Sequence, residues 1–254
     1  MPNSRKIISS MLREGERIDE LSVPPWKIIQ KTDGTAFSVD TVLLVDFAEV
    51  EDENLKIADL GSGSGIISFL IREKFKNPEL TGFEILPEMH ELAERNLLLN
   101  DSPSGINFRC FDVCKIVQEY KAESFDLVLS NPPYYKIGRG KISPSKNRAH
   151  ARHEVSGKLG DFVSASSHLV KSAGRIIFIL PAERCTEAIE LFSKKSVVCC
   201  RQRFVRPFES VQPNLVLLEF RKSDVAIDFQ KLPDLIIRDR NRSFTKEMTK
   251  IYED

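Results

Sequence analysis

Short apolar runs alternate with longer amphipathic stretches from about residue 55 onward. The apolar runs predict seven β-strands, at residues 55–60, 79–85, 106–111, 125–130, 174–180, 199–205 and 215–221. The amphipathic stretches predict helices at residues 66–75, 87–100, 158–171 and 182–194. Strands that alternate with helices are typical of crossover units, which produce a mostly parallel sheet.

The predicted fold class is therefore α/β, with a doubly wound, seven-stranded, mostly parallel sheet of the Rossmann-like kind. Residues 206–214 are too few for a crossover helix, so we expect the last strand to run antiparallel. Ahead of the sheet, residues 27–30 predict a short strand, and residues 41–50 predict a helix capped by Ser38 or Asp40. Residues 243–252 predict a terminal helix. We expect one domain at 51–254 with an N-terminal extension, 1–50, packed on it.

Composition restricts the class of protein further. Hydrophobic residues make up 41% and charged residues 29% of the 254, which is typical of a globular chain. No apolar run approaches the length of about 18 residues that a membrane-spanning helix needs, so no membrane partner is expected. The first twenty residues are charged throughout and lack the apolar core of a signal peptide. We therefore expect a cytoplasmic protein.

Charge and cysteine content argue against two further classes. The chain has 37 basic and 37 acidic residues, so any site for a polyanion must come from local clustering of basic groups. The five cysteines are odd in number and lack paired CxxC spacing, which argues against a disulfide framework and a zinc site. His150 and His153 are three residues apart without an acidic partner, so no metal is expected.

A glycine-rich loop follows the first strand of the predicted sheet. Asp59-Leu60 leads directly into Gly61-Ser62-Gly63-Ser64-Gly65 and then a helix, an arrangement that binds nucleotides in doubly wound folds. Glu84 ends the second strand, 19 residues after Gly65, where an acid can accept hydrogen bonds from both ribose hydroxyls. Asp112 follows the third strand, where it can accept from an adenine amino group. Each residue alone is also explained by a turn or a cap; together they predict a nucleoside cofactor.

The fourth strand ends in Asn131-Pro132-Pro133-Tyr134. Two prolines force the chain out of the sheet, so the turn alone requires no function. At the edge that carries the glycine loop, however, the stiff backbone would fix the Asn131 amide and the Pro132 carbonyl as neighbouring acceptors. Two acceptors on the N–H groups of an sp² amino nitrogen favour a tetrahedral nitrogen with an available lone pair. Tyr134 would stack on the planar substrate group.

A basic loop follows the turn. Residues 135–154 are interrupted by glycine and proline, and they include Lys136, Arg139, Lys141 and Arg148. A basic run is most often solvated surface. Beside a turn that faces substrate, these four residues are instead candidates for phosphate contacts.

These motifs resemble those of a known group of enzymes. Asp59 to Gly65 resembles motif I of class I methyltransferases, and the resemblance implies S-adenosylmethionine as cofactor. By that resemblance Asp59 and Gly61 lie beside the methionine part, Glu84 holds the ribose and Asp112 the adenine. Gly63 and Gly65 are further cofactor-binding candidates. Asn-Pro-Pro-Tyr resembles motif IV of methyltransferases that act on the amino group of adenine or on the glutamine amide.

Over nearly its whole length the chain resembles the bacterial transfer-RNA valine-1 adenine-37 N6-methyltransferases. The stretches that resemble the family are 16–21, 28–30, 37–44, the Asn-Pro-Pro-Tyr turn, 149–154 and 243–248. The resemblance implies methylation of the N6 amino group of adenine in RNA, at adenine 37 of a valine tRNA. It also makes Asp40 a further cofactor-binding candidate, tRNA the partner, and a monomer the expected state.

Four alternatives remain at this point. A protein glutamine N5-methyltransferase uses the same tetrapeptide, but those enzymes carry a larger helical domain before the glycine loop, and here 58 residues precede Asp59. Another RNA is a second alternative, because relatives with other targets share these motifs. A DNA adenine methyltransferase would need a target-recognition domain, for which little chain remains. A non-catalytic binding module would not be expected to retain both motifs.

Overall fold

The computed structural model describes residues 11–21, 26–32, 39–49, 52–133, 157–222 and 227–253. The strands are β1 (Glu16–Leu21), β2 (Trp26–Lys31), β3 (Lys56–Leu60), β4 (Glu79–Glu84), β5 (Ile106–Cys110), β6 (Phe125–Ser130), β7 (Val170–Pro181), β8 (Val197–Phe208), β9 (Leu215–Lys222), β10 (Gln230–Lys231) and β11 (Leu235–Arg238). The helices are α1 (Val39–Phe47), α2 (Ile66–Lys74), α3 (Pro87–Leu99), α4 (Ile116–Glu119), α5 (Leu159–Leu169), α6 (Cys185–Ser193) and α7 (Lys246–Glu253).

The main sheet has the strand order β10-β8-β9-β7-β6-β3-β4-β5, and β11 pairs with β8. All seven predicted strands are present as β3 to β9. Strand β9 is antiparallel to both β7 and β8, as predicted, while the other pairings in this sheet are parallel. Strands β10 and β11 were not predicted; they add two short segments beside β8.

Two hydrophobic cores lie on opposite faces of this sheet, because successive residues of a strand point to opposite sides. Ile57 and Leu127 belong to one core and their neighbours Ala58 and Val128 to the other. The first core includes apolar residues of α1, α2, α3 and α7, and the second includes those of α4, α5 and α6. The doubly wound prediction is confirmed.

Several boundaries differ from the predicted ones. The predicted helix 158–171 ends at Leu169, because Val170 already pairs with Phe125 and opens β7. The predicted helix 182–194 begins with a 3-10 turn at Ala182–Arg184, and α6 starts at Cys185. The predicted helix 41–50 spans Val39–Phe47. Apolar periodicity locates the middle of an element better than its ends, where capping and pairing decide. None of the described helices is long and apolar enough to cross a membrane.

A two-stranded hairpin, β1 with β2, packs on α3 and forms part of the first core through Leu21 and Ile28. Strand β1 was not predicted because its charged residues hide the alternation. Arg95 of α3 donates to both oxygens of Glu16 at 2.7 Å. Asn100, which directly follows α3, accepts from Lys27 N at 2.9 Å and donates to Lys27 O at 2.7 Å. Asn100 therefore satisfies backbone groups of β2. The domain boundary predicted at residue 50 stays a prediction.

A buried ionic cluster holds the carboxyl end of α1 on the sheet. Glu219 of β9 is 3% exposed and accepts from Arg175, Arg201 and Arg221 at 2.9–3.1 Å. Burial opposes ionisation of Glu219, but hydrogen bonds and charge from these arginines outweigh it and hold its pKa below the usual value. Arg201 also bonds the carbonyl of Phe47, the last residue of α1. Helix α1 is thus tied to β8 through Arg201, and through Glu219 to β9.

Candidate active site

The predicted site residues follow strands that end at one edge of the sheet. Leu60, the last residue of β3, is in register with Phe83 of β4 and with Ser130, the last residue of β6. Glu84 is in register with Cys110, the last residue of β5. Because these strands are parallel, the glycine loop, Glu84, Asp112 and Asn131 lie at the same edge. The structure brings them together as the sequence predicted.

The glycine loop is a compact turn that rests on the end of β4. The N–H groups of Gly61 and Ser62 both donate to the carbonyl of Phe83, at 2.8 and 3.0 Å. Gly61, Gly63 and Gly65 have φ values of 79°, 55° and 84°, which L side chains rarely adopt. A Cβ at Gly65 would also overlap the ring of Phe108. The loop backbone therefore requires glycine both for its conformation and for its packing.

Glu84 connects this loop to the next helix. Its Oε2 accepts from the N–H of Gly63 at 2.9 Å, and its Oε1 accepts from the N–H of Leu86 at 2.8 Å. Burial raises the pKa of Glu84, while the backbone hydrogen bonds partly offset that rise. Each carboxylate oxygen has a second acceptor position. The group can therefore hold the loop and still accept from two ribose hydroxyls.

Asp59 lies next to Glu84 and is fully buried. Within the described part of the chain, neither oxygen of its carboxyl group has a hydrogen-bond partner, and the same holds for the hydroxyl of Ser62 in the loop above. Burial, with a further contribution from the charge of Glu84, raises the pKa of Asp59 to about 8. Buried polar atoms without partners are rare. An amino acid's ammonium group beside Asp59 would supply the missing donors and a compensating charge, so these residues fit S-adenosylmethionine.

Asp112 and Asp40 take up more ordinary positions at the same edge. The Oδ1 of Asp112 accepts from Cys114 N at 2.9 Å and caps the 3-10 turn Val113–Lys115. Its second oxygen remains a candidate for the adenine amino group. Asp40 lies in the first turn of α1, and its charge acts on Tyr252 of α7. The cofactor roles of both acids stay predictions.

Asn131 and the two prolines directly follow β6. The hydroxyl of Ser130 donates to Leu60 O at 2.8 Å and joins the end of β6 to the end of β3, so the turn starts from a fixed point. Pro132 is buried and Asn131 is partly exposed. The predicted residues Tyr134, Lys136, Arg139, Lys141 and Arg148 lie outside the described residues, as do His150 and His153. Within the described ranges, no group of three or more His, Cys, Asp or Glu residues is placed to hold a metal ion.

Two residues of the site were not predicted. Asn96 of α3 is fully buried; it accepts from Ile29 N at 2.7 Å and donates to Ser64 O at 3.0 Å, so it joins the hairpin to the glycine loop. Gly82 of β4 lies under the loop, where a Cβ would come within 2.8 Å of Ser62. An asparagine inside a helix and a glycine inside a strand were the only signals, and both are weak.

The solved structures that are similar to this chain include methyltransferases. The chain is similar to a predicted O-methyltransferase of Agrobacterium tumefaciens, with a TM-score of 0.66 and 21% identity over 84% of this chain and 95% of that one. It is also similar to an SAM-dependent methyltransferase of the same organism, with a TM-score of 0.57 and 14% identity over 84% of this chain and 72% of that one. At these identities the likeness shows the fold.

The sequence comparison identifies the family. A family model described as the methyltransferase small domain matches residues 34–205, which is more than half of the chain, and the chain belongs to that family. A Histophilus somni protein named tRNA1(Val) (adenine(37)-N6)-methyltransferase is 27% identical over 92% of this chain and 96% of its own. A Porphyromonas gingivalis protein of the same name is 28% identical over 77% of both chains. The resemblance stated from the sequence is confirmed.

The burial of Asp59 predicts a pH dependence of stability. Folded Asp59 keeps its proton up to about pH 8, whereas an unfolded aspartate loses it near the ordinary value of 3.8. Between these values unfolding releases a proton, so this group makes the free energy of unfolding fall as pH rises. Asp59→Asn cannot ionise and should flatten that slope. Denaturant unfolding from pH 4.5 to 8 measures it; a variant with the parental slope would contradict the assignment.

Asn96 is predicted to position the glycine loop. Asn96→Ala would leave the Ile29 N–H and the Ser64 carbonyl buried without their partner, at a cost of about 1–3 kcal/mol for each group. We expect weaker binding of S-adenosylmethionine, by about tenfold if 1.4 kcal/mol of that cost falls on the loop. Asn100→Ala is the matched control, because Asn100 bonds the hairpin but not the glycine loop. Equal affinities of the two variants, measured by calorimetry, would remove Asn96 from this role.

Proposed function

We propose that this chain transfers a methyl group from S-adenosylmethionine to the N6 amino group of adenine in tRNA, at adenine 37 of a valine tRNA. The observation that carries the proposal is the position of Asn131 and Pro132 at the edge that holds the glycine loop and Glu84. The names of the Histophilus somni and Porphyromonas gingivalis relatives support the substrate.

The acids of the cleft would hold the cofactor, which when bound supplies a methyl group on a sulfonium sulfur. Glu84 is proposed to accept from the ribose hydroxyls, in addition to the backbone N–H groups that it already binds. Asp59 is proposed to face the ammonium group, and Asp112 the adenine. The backbone of Gly61, Gly63 and Gly65 is proposed to line the cofactor, in the positive-φ conformation that glycine adopts without strain. Asp40 is proposed to contribute from the first turn of α1.

Asn131 and Pro132 are proposed to activate the target nitrogen. The lone pair of an adenine amino group is delocalised into the ring, so the nitrogen is a weak nucleophile. The side-chain oxygen of Asn131 and the carbonyl of Pro132 would accept its two N–H groups and favour the tetrahedral nitrogen of the transition state. Tyr134 is proposed to stack on the adenine and keep it in line with the methyl group. An ionised general base is unnecessary, because the product nitrogen can release its proton after transfer.

The remaining proposals concern the contacts with tRNA and the state of the protein. We propose that Lys136, Arg139, Lys141 and Arg148 contact tRNA phosphates beside the turn, since basic side chains next to a substrate cleft suit a polyanion. We also propose a cytoplasmic monomer in which residues 1–50 extend the domain at 51–254. The contacts of Asn100 and Arg95 with β1 and β2 support the packing of that extension.

A substrate comparison tests the proposed reaction. The purified chain is incubated with methyl-labelled cofactor and with total tRNA from cells lacking this modification, a release factor, or duplex DNA. We expect label in tRNA only, and N6-methyladenosine in its nucleoside digest. Label in the release factor would identify a glutamine N5-methyltransferase instead. Label in no substrate would contradict the proposed reaction.

Asn131→Ala separates chemistry from binding. One preorganised hydrogen-bonding group of this kind contributes about 10²–10³ in turnover, so the single-turnover rate should fall by that factor. The affinity for S-adenosylmethionine should stay at the parental value, because Glu84, Asp59 and Asp112 are proposed to hold it. A variant that transfers methyl groups at the parental rate would show that the turn only redirects the chain.

A further inference from the structure

An ordered turn leaves the sheet at the edge that carries the active site. Strand β11 is parallel to β8, with Arg238 opposite Phe208, the last residue of β8. Because β8 also runs parallel to β7, β6 and β3, the turn at residues 239–243 begins at the carboxyl edge. Strand β11 is four strands from β6, with β8, β9 and β7 between them, which is about 19 Å at roughly 4.8 Å per strand.

The turn is held by its own side chains. Asp239 Oδ1 accepts from the N–H groups of Asn241 and Ser243, at 2.8 and 3.0 Å. The guanidinium of Arg238 donates to the carbonyl of Arg242 at 2.6 Å. The carboxylate of Asp239 is therefore occupied by backbone donors, and the turn projects Arg240 and Arg242 from a defined base.

Two exposed aromatic rings lie beside this turn. Phe244, which precedes α7, stacks on Tyr252 of α7, with ring centroids 5.2 Å apart and planes at 17°. The guanidinium carbon of Arg238 lies 4.6 Å from the centroid of Phe244. Phe244 is 36% and Tyr252 38% exposed, although α7 buries Met248 and Ile251 in the first core. Aromatic surface interleaved with arginine is typical of nucleic-acid contacts.

The charge of these groups is poorly compensated within the described residues. The side chain of Arg240 is 94% exposed, and it pairs with Glu209 at 3.8 Å, whose side chain is itself 72% exposed. Glu247 of α7 pairs with Arg203. Tyr252 lies close enough to Asp40, in the first turn of α1, for that acid to act on its pKa. The turn thus carries three arginines, Arg238, Arg240 and Arg242, against the two acids Asp239 and Glu209, and is net positive in a chain whose net charge is zero.

We propose that Arg238, Arg240, Arg242, Phe244 and Tyr252 form a second tRNA-binding surface, which contacts the backbone of the tRNA whose adenine enters the cleft. This inference rests on the proposed function. Arg240 and Arg242 contact phosphates, and the stacked rings hold Arg238 in place and offer their exposed surface to an unpaired nucleotide. At about 19 Å from β6, the surface lies within the span of a few nucleotides of an RNA backbone.

The test uses two matched double variants of the full chain. In Arg240→Gln with Arg242→Gln, both exposed arginines of the surface lose their charge. In the control, Lys121→Gln with Lys195→Gln, two exposed lysines are neutralised just before β6 and β8, at the opposite edge of the sheet. Binding of tRNA is measured by titration over a range of salt concentrations, together with cofactor affinity, melting temperature and methyl transfer.

We expect the arginine variant to bind tRNA more weakly, with a log–log salt slope smaller by roughly 0.7–0.9 for each phosphate that the variant no longer neutralises. The KM for tRNA should rise while the rate at saturating tRNA, the cofactor affinity and the melting temperature stay parental. The lysine variant should match the parent. If the parent methylates tRNA and the arginine variant keeps the parental slope, or if both variants weaken binding equally, the surface is wrong and the reaction stands. If the parent neither binds nor methylates tRNA, both proposals fail.

Discussion

The carboxylate of Glu84 joins the loop that follows β3 to the segment that follows β4, and the architecture of the candidate site depends on it. One oxygen accepts from Gly63 in the loop after β3, and the other accepts from Leu86 before α3. The loop can present its N–H group there because its glycines adopt positive φ. Asp59 lies beneath, buried beside a second acid, and this arrangement raises its pKa to about 8. The free site therefore holds polar groups that a charged, hydroxyl-bearing ligand would satisfy.

The distribution of charge along this edge matches the groups that a methyltransferase must bind. Acids lie at the ends of β3, β4 and β5, where the ammonium and hydroxyl groups of the cofactor are proposed. A neutral amide and carbonyl follow β6, which suits an uncharged amino nitrogen. Arginines lie further along the edge, beyond β8, where a polyanionic substrate would continue. Zero net charge is compatible with RNA binding because the basic groups are clustered.

The sequence was sufficient for the features that depend on local patterns. Apolar periodicity predicted the seven main strands, and the positions of Glu84 and Asn131 after parallel strands predicted one shared edge. Asn96, by contrast, acts through Ile29 and Ser64, 67 and 32 residues away, and no local pattern reports such contacts. Strand β1 and the surface of Arg238 and Tyr252 depend on tertiary packing in the same way. The ends of several helices and strands differ from the predicted ones, because strand pairing and helix capping determine where an element ends.

Calorimetric titration of S-adenosylmethionine into Glu84→Gln tests the account most directly. Glutamine keeps the shape and one acceptor but turns an NH₂ group toward a backbone N–H and loses the charge. Hydrogen bonds to a charged group are worth about 1.5–3 kcal/mol, so affinity should fall at least about tenfold. Glu79→Gln, an exposed acid at the other end of the same strand, should bind like the parent. Parental affinity in a folded Glu84→Gln variant would contradict the central role of this carboxylate.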